Sequence, residues 1–225
     1  MFHVEHAPPI TMEKFRYLHN RNGAFKVDAM SFWPAILLIL LAAASRLAPI
    51  WFGDAAPFHF NALTAVALCG AAYLPSRWAM LLPIGALGIS DVILNAHYGV
   101  AFFDIQMLVR YACLFAIAGG GRWIAHRGWQ PSDLVLGSLA SSTLFYLVTN
   151  TVCWATTIAY PPGVSGWGQA LTIGLPGFPP TWTFFRNSLI GDLLFVGLFM
   201  GCAQLGARLA RPPASTDIIV TVAGK

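Results

Sequence analysis

Charged side chains are scarce in this chain: they make up 10% of 225 residues, where an ordinary soluble domain is about a quarter charged. Hydrophobic residues make up 57%. Such a sequence cannot cover a water-facing surface, so much of it must be solvated by lipid. Paired cysteines are also missing. Cys69, Cys113, Cys153 and Cys202 each stand alone in an apolar run, and no CxxC occurs. That excludes a disulfide framework and a cysteine metal site, leaving small buried residues. The six histidines show no ligand spacing on one helix face, so no metal is expected. There is no GxSxG, no HExxH and no phosphate loop with its lysine, so neither hydrolase chemistry nor nucleotide hydrolysis is expected. No cofactor motif is present. The net charge of +4 is no nucleic-acid signal, because the basic residues fall in short loops and tails, where they set membrane orientation.

The first 30 residues are polar and hold no long apolar region ahead of a small-residue cleavage site, so they are not a secretory signal. Two readings of this leader stand. One is a polar cytoplasmic tail. In the other, translation starts at Met12 or Met30, and Met1-Phe2-His3-Val4-Glu5-His6 is a translated DNA site. Its back-translation ATGTTCCACGTGGAACAT contains a palindrome resembling centromere-like sites of chromosome-partition proteins. The expected organisation is a leader over 1–30, a six-helix transmembrane domain over 31–209 and a cytoplasmic tail over 210–225.

Long apolar runs dominate the remainder. About 20 apolar residues cross the hydrocarbon core as a helix. Six stretches qualify, at 33–50, 59–75, 79–98, 102–121, 134–157 and 184–207, the second being short. Pro and Gly mark the gaps. Residues 158–183, rich in Gly, Pro and aromatics, read as a long external loop with a re-entrant or surface-lying turn around Trp167 to Leu175. Ten of the 13 basic residues fall on one side of these spans. The positive-inside rule then puts both termini in the cytoplasm, in a bacterial inner membrane. Trp33, Trp78 and Trp123 at inner ends and Trp51 at an outer one fit interfacial anchoring.

The three other basic residues, Arg46, Arg110 and Arg186, mark a polar layer in the outer half. Arg110 lies about six residues, or roughly 9 Å, into the fourth span. Asp91 and Asp192 sit at a matching depth on antiparallel spans. Asn61, Asn95, Asn150 and Asn187 join them. Thr143, Tyr146, Asn150 and Trp154 follow i, i+3, i+7, i+11, and Asp91 with Asn95, Gln106 with Arg110 and Ser188 with Asp192 are four apart, which places each set on one helix face. An ionisable group inside the bilayer usually faces a cavity or a partner. The functional reading is an outward-facing polar pocket built from Asn61, Asp91, Asn95, Arg110, Tyr146, Asn150, Trp154, Asn187 and Asp192. The bland reading is interhelical pairing, with Arg110 bonded to Asp91 or Asp192. A catalytic pair of aspartates sharing a proton would be expected with YD and GxGD sequences; the chain has Ser90-Asp91 and Gly191-Asp192 instead, so no enzyme is expected.

Several short stretches carry a resemblance over residues 33–207: Arg46-Leu47-Ala48-Pro49, Asn61 leading to Gly70-Ala71-Ala72-Tyr73, Ser90-Asp91, Thr149-Asn150 with Trp154, Tyr160-Pro161, and Phe185-Arg186-Asn187 with Gly191-Asp192. Together they resemble an uncharacterised family of six-span bacterial membrane proteins, which is similar to the substrate-binding S components of energy-coupling factor transporters. The resemblance implies an all-α bundle of six transmembrane helices that captures a vitamin-like small molecule from outside. It also implies a transmembrane coupling protein and two ATPases as partners. S components often dock that protein through small residues on the first helix; here Ala44 and Ala48, or Ala35 and Ala42, are the small residues available. The alternative function is a non-transporting structural or assembly subunit of a membrane complex, since rod-shape-determining subunits are thought to share such a scaffold.

Overall fold

Peptide groups in long apolar runs must bond within their own segment when no water can reach them, and a helix does this. The computed structural model describes residues 32–52, 62–74, 78–99, 103–127 and 130–209. Among these the chain is all-α, without strands. The helices are α1 (Phe32–Ser45), a short α2 (Ala48–Phe52), α3 (Leu63–Tyr73), α4 (Leu81–Tyr98), α5 (Ile105–Arg127), α6 (Pro131–Thr156), α7 (Val164–Leu171) and α8 (Thr181–Leu209). Each expected span overlaps one of them, α5 running six residues beyond its expected end at 121. The first is broken at Arg46-Leu47, and α7 falls within the expected external loop. Asn61, the leader and the C-terminal tail lie outside the described residues.

Local chemistry sets the boundaries. Pro131 opens α6 at the first helical position, where its missing N–H costs nothing, and the Asp133 carboxylate accepts the Gln130 N–H at 2.7 Å. Gly99 closes α4 in the left-handed region (φ 64°) and returns its N–H to the Asn95 carbonyl.

Three helical segments are long and apolar enough to cross a membrane: Leu81–Tyr98, Pro131–Thr156 and Thr181–Leu205. Two of them, α4 and α8, reverse the polarity of a water-soluble helix. On α4, Ile89 is 67% exposed while its neighbours Ser90 and Asp91 are 2% exposed. On α8, Ile190 and Leu194 face outward while Asp192 is completely buried. An apolar exterior around buried carboxylates suits hydrocarbon as solvent.

The shortest expected span is the centre of the bundle. α3 has 11 residues, all buried. At 1.5 Å per residue it covers about 16 Å, roughly half the hydrocarbon thickness. It packs against α5, α6, α8, α4 and α1. Its sequence, LTAVALCGAAY, is mostly small, so neighbouring backbones come close. The tightest approach is from α5, where a Cβ on Gly121 would collide with the Leu68 carbonyl. Two residues earlier on α5, a Cβ on Gly119 would meet open space.

Gly121→Ala should therefore lower the unfolding free energy by about 1–3 kcal/mol, as overpacking does, while Gly119→Ala, free of any clash inside a helix, should leave it unchanged or raise it by up to about 1 kcal/mol. Reversible unfolding in mixed detergent checks the pair; equal effects would contradict the close α3–α5 approach.

Candidate functional site

The first peptide N–H groups of a helix have no intrahelical acceptor. At the buried start of α3 the N-cap residue is Ala62, whose side chain cannot supply one. The acceptor comes instead from α8. Asp192 Oδ1 accepts the Ala65 N–H at 2.9 Å, and Asp192 Oδ2 accepts the hydroxyls of Thr64 at 2.6 Å and Ser142 at 2.7 Å. The Ala65 N–H and the Thr64 hydroxyl donate to the carboxylate, and the Ser142 hydroxyl lies within reach of both Oδ2 and the Ser138 carbonyl, 2.9 Å away. The Asp192 charge lies at the positive end of the α3 dipole. At the other end of α3, Arg122 of α5 brings Nη1 to 3.4 Å from the Leu74 carbonyl and 3.5 Å from that of Ala71. The buried half-length helix thus has an acid at its N-terminus and a base at its C-terminus, each supplied by another helix.

A cleft of about 150 Å³ opens beside this cap, between α6 and α8. Its wall carries Asp192 and Thr64, the hydroxyl residues Ser142, Thr149 and Ser188, the amide of Asn150, and the rings of Phe145, Tyr146, Phe184 and Phe185. Tyr146 and Phe185 stack with ring centroids 4.6 Å apart. The Tyr146 hydroxyl donates to the Leu171 carbonyl, tying α7 to α6. Asn150 Nδ2 donates to the Tyr146 carbonyl at 2.8 Å. Among the described residues no lysine, arginine or histidine contributes to the wall. A second cavity of about 290 Å³ adjoins through Asn150 and Phe184 and runs under the loop at Gly174 to Thr181.

Asp91 belongs to a different cluster. Its Oδ1 lies 2.5 Å from Arg46 Nη2 and 3.6 Å from Arg110 Nη1, and its Oδ2 accepts the Tyr111 hydroxyl at 2.7 Å. Arg46 also donates to Ser90 Oγ at 2.6 Å and to the Leu87 carbonyl at 3.3 Å. The break between α1 and α2 is where this arginine leaves the chain to reach α4. The cluster pins three helices and carries one more positive than negative charge.

The nine residues expected at one pocket are therefore distributed. Tyr146, Asn150 and Asp192 line the cleft. Asp91 and Arg110 pair, one of the two pairings the bland reading offered, and Arg46, placed in the polar layer but not matched to an acid, is the closer partner of Asp91. Trp154 is outside the cleft wall. Its Nε1 donates to the Pro161 carbonyl at 3.1 Å, and it borders a shallow external groove with Tyr160. Asn187 accepts from the neighbouring Arg186, at 3.3 Å from Nη2. Asn95 is half-buried beyond Asp91 and reaches neither cluster. Asn61 falls outside the described residues. Thr64, Ser142, Thr149, Phe145 and Phe184 were missed. The available signal was Ser142, Phe145, Tyr146 and Thr149 at i, i+3, i+4, i+7, a face turned slightly from the one that includes Thr143 and Trp154. On the first helix, Ala42 is buried in the bundle rather than presented for docking.

Fold and site together define a helical protein with segments long and apolar enough to cross a membrane and with carboxylates enclosed among its helices. Residues 27–214 match the model of a family of unknown function, DUF6580, and the chain belongs to that family. No curated protein and no solved structure matches it.

The two aspartates should respond differently to mutation. Asp91→Ala leaves Arg46 buried without its counter-charge and should cost about 3–5 kcal/mol; adding Arg46→Met should recover part of that loss, read as a coupling energy in a double-mutant cycle. Asp192→Ala removes a cap and strands buried donors, for about 2–4 kcal/mol, with no recovery from Arg46→Met. Additive Asp91 and Arg46 effects would contradict the pairing.

Proposed function

We propose that this protein is a membrane-embedded binding subunit that captures a small, vitamin-like molecule from outside the cell for uptake. The observation that carries the reading is the cleft between α6 and α8. Three residues singled out by depth and periodicity alone, Tyr146, Asn150 and Asp192, meet in its wall together with aromatic rings. Clefts lined by apolar and aromatic groups with a few converging polar ones are the usual form of small-molecule sites.

In this reading the chain crosses the bacterial inner membrane six times, as an S-component-like bundle with both termini in the cytoplasm. α1 with α2, then α3, α4, α5, α6 and α8 make the crossings. Arg122 and Arg127 near the end of α5 lie on the side that the positive-inside rule assigns to the cytoplasm. The cleft then faces the outer leaflet, with α7 above it. The chain carries no nucleotide motif, so a transmembrane coupling protein and ATPases would supply the energy. α3 is too short to cross alone, and it is buried among the other helices, where a full-length lipid-facing segment is not required.

A second reading, a structural or assembly subunit, is favoured by the Asp91 cluster, whose groups are all engaged with one another. The two readings separate by ligand dependence. Purified protein in nanodiscs should be stabilised by its ligand by RT ln(1 + [L]/Kd), about 2.7 kcal/mol at 100 Kd. Differential scanning fluorimetry across vitamins, nucleobases, amines and metals should find at least one such compound, and Phe184→Ala should abolish its shift while leaving the unliganded Tm near that of the parent. A flat response across the whole panel would favour the assembly reading.

A further inference from the structure

The sequence offered both a carboxylate and a guanidinium to a bound molecule. The structure separates them. Arg110 lies with Asp91, and the cleft wall retains Asp192 with no basic residue among the described ones. Among the described residues no basic side chain forms an ion pair with Asp192. Its compensation comes from two hydroxyls and one end of a helix, whose partial charge of roughly one half is smaller than its own.

Resting on the uptake reading above, we infer that the ligand class of this cleft is a compact organic cation, an amine or quaternary ammonium group with a small body. Three features select it. The formal charge of the described wall is negative, and because Asp192 is fully buried its charge is little screened by water. Four rings, Phe145, Tyr146, Phe184 and Phe185, border the same space, and ring faces attract cations most when water is excluded. The volume of about 150 Å³ restricts the buried part to a small group, which suits a methylated ammonium head. An anionic ligand would meet uncompensated repulsion from Asp192. A neutral one would fit the rings but leave the acid without a counter-charge.

The test uses three molecules of nearly equal shape: choline, the neutral 3,3-dimethylbutan-1-ol and the anionic 3,3-dimethylbutanoate. Binding to the full chain in nanodiscs is read by isothermal titration and by tryptophan fluorescence. Choline should bind more tightly than the neutral isostere, by on the order of tenfold or more, and the anion should not bind. Asp192→Asn should erase the preference for charge. Because that change also alters the α3 cap, Phe145→Leu provides a second variant that leaves the cap in place; it should weaken choline several-fold more than the neutral isostere. Equal binding of choline and the alcohol, or tightest binding of the anion, would overturn the cationic assignment and leave the cleft standing as a binding site. No binding by any of the three would overturn the assignment, and the binding-subunit reading would fall with it only if the broad panel were also silent.

Discussion

The carboxylate of Asp192 on the N-terminus of α3 is the contact around which the bundle is organised. A buried helix end exposes peptide N–H groups to an environment without water, and each one left unpaired is costly. α3 begins with Ala62 and cannot cap itself. The acid from α8, helped by Thr64 and by Ser142 from α6, closes the end and draws three helices to one point. Arg122 answers at the other end from α5. A half-length apolar helix can thus occupy the centre of a bundle in which α4, α6 and α8 are long and apolar enough to cross a membrane.

The two aspartates show how similar residues in similar positions come to different uses. Asp91 is held by Arg46, Tyr111 and Arg110, so its charge is spent within the bundle. Such a cluster fixes helix α4 against its neighbours and offers little to a ligand. Asp192 is held by neutral donors and lies fully buried in the wall of the cleft. Its charge is stabilised but not cancelled, and that difference rather than depth distinguishes a locking group from a group able to attract a ligand.

The helical class and the placement of helices were legible because apolar runs and Pro/Gly gaps are local signals. The marginal second span was legible only as a short run; that it is the buried centre depends on Gly121 and other small residues on facing helices, which no local pattern reveals. At the site, Asp91 and Asp192 stood out because charge is rare here. Arg110 stood out for the same reason and does pair with Asp91; the remaining contacts were not legible. Arg46 reaches Asp91 through a break between α1 and α2, and Ser142 reaches Asp192 from a face one position away from the periodicity that included Thr143 and Trp154. Trp154 had the spacing of a pocket residue but serves the loop at Pro161, because the long segment after α6 folds back over it. Hydroxyls such as Thr64 are common in apolar helices and give no sign of their tertiary role.

The central claim is that α3 is sealed inside the protein, with both ends closed by side chains from other helices. Hydrogen exchange read by mass spectrometry in nanodiscs addresses it directly. Peptides covering 62–74 should exchange more slowly than any others, opening only with global unfolding. Exchange there as fast as in α7 (Val164–Leu171) would mean that the helix ends are open to water, and would contradict the account.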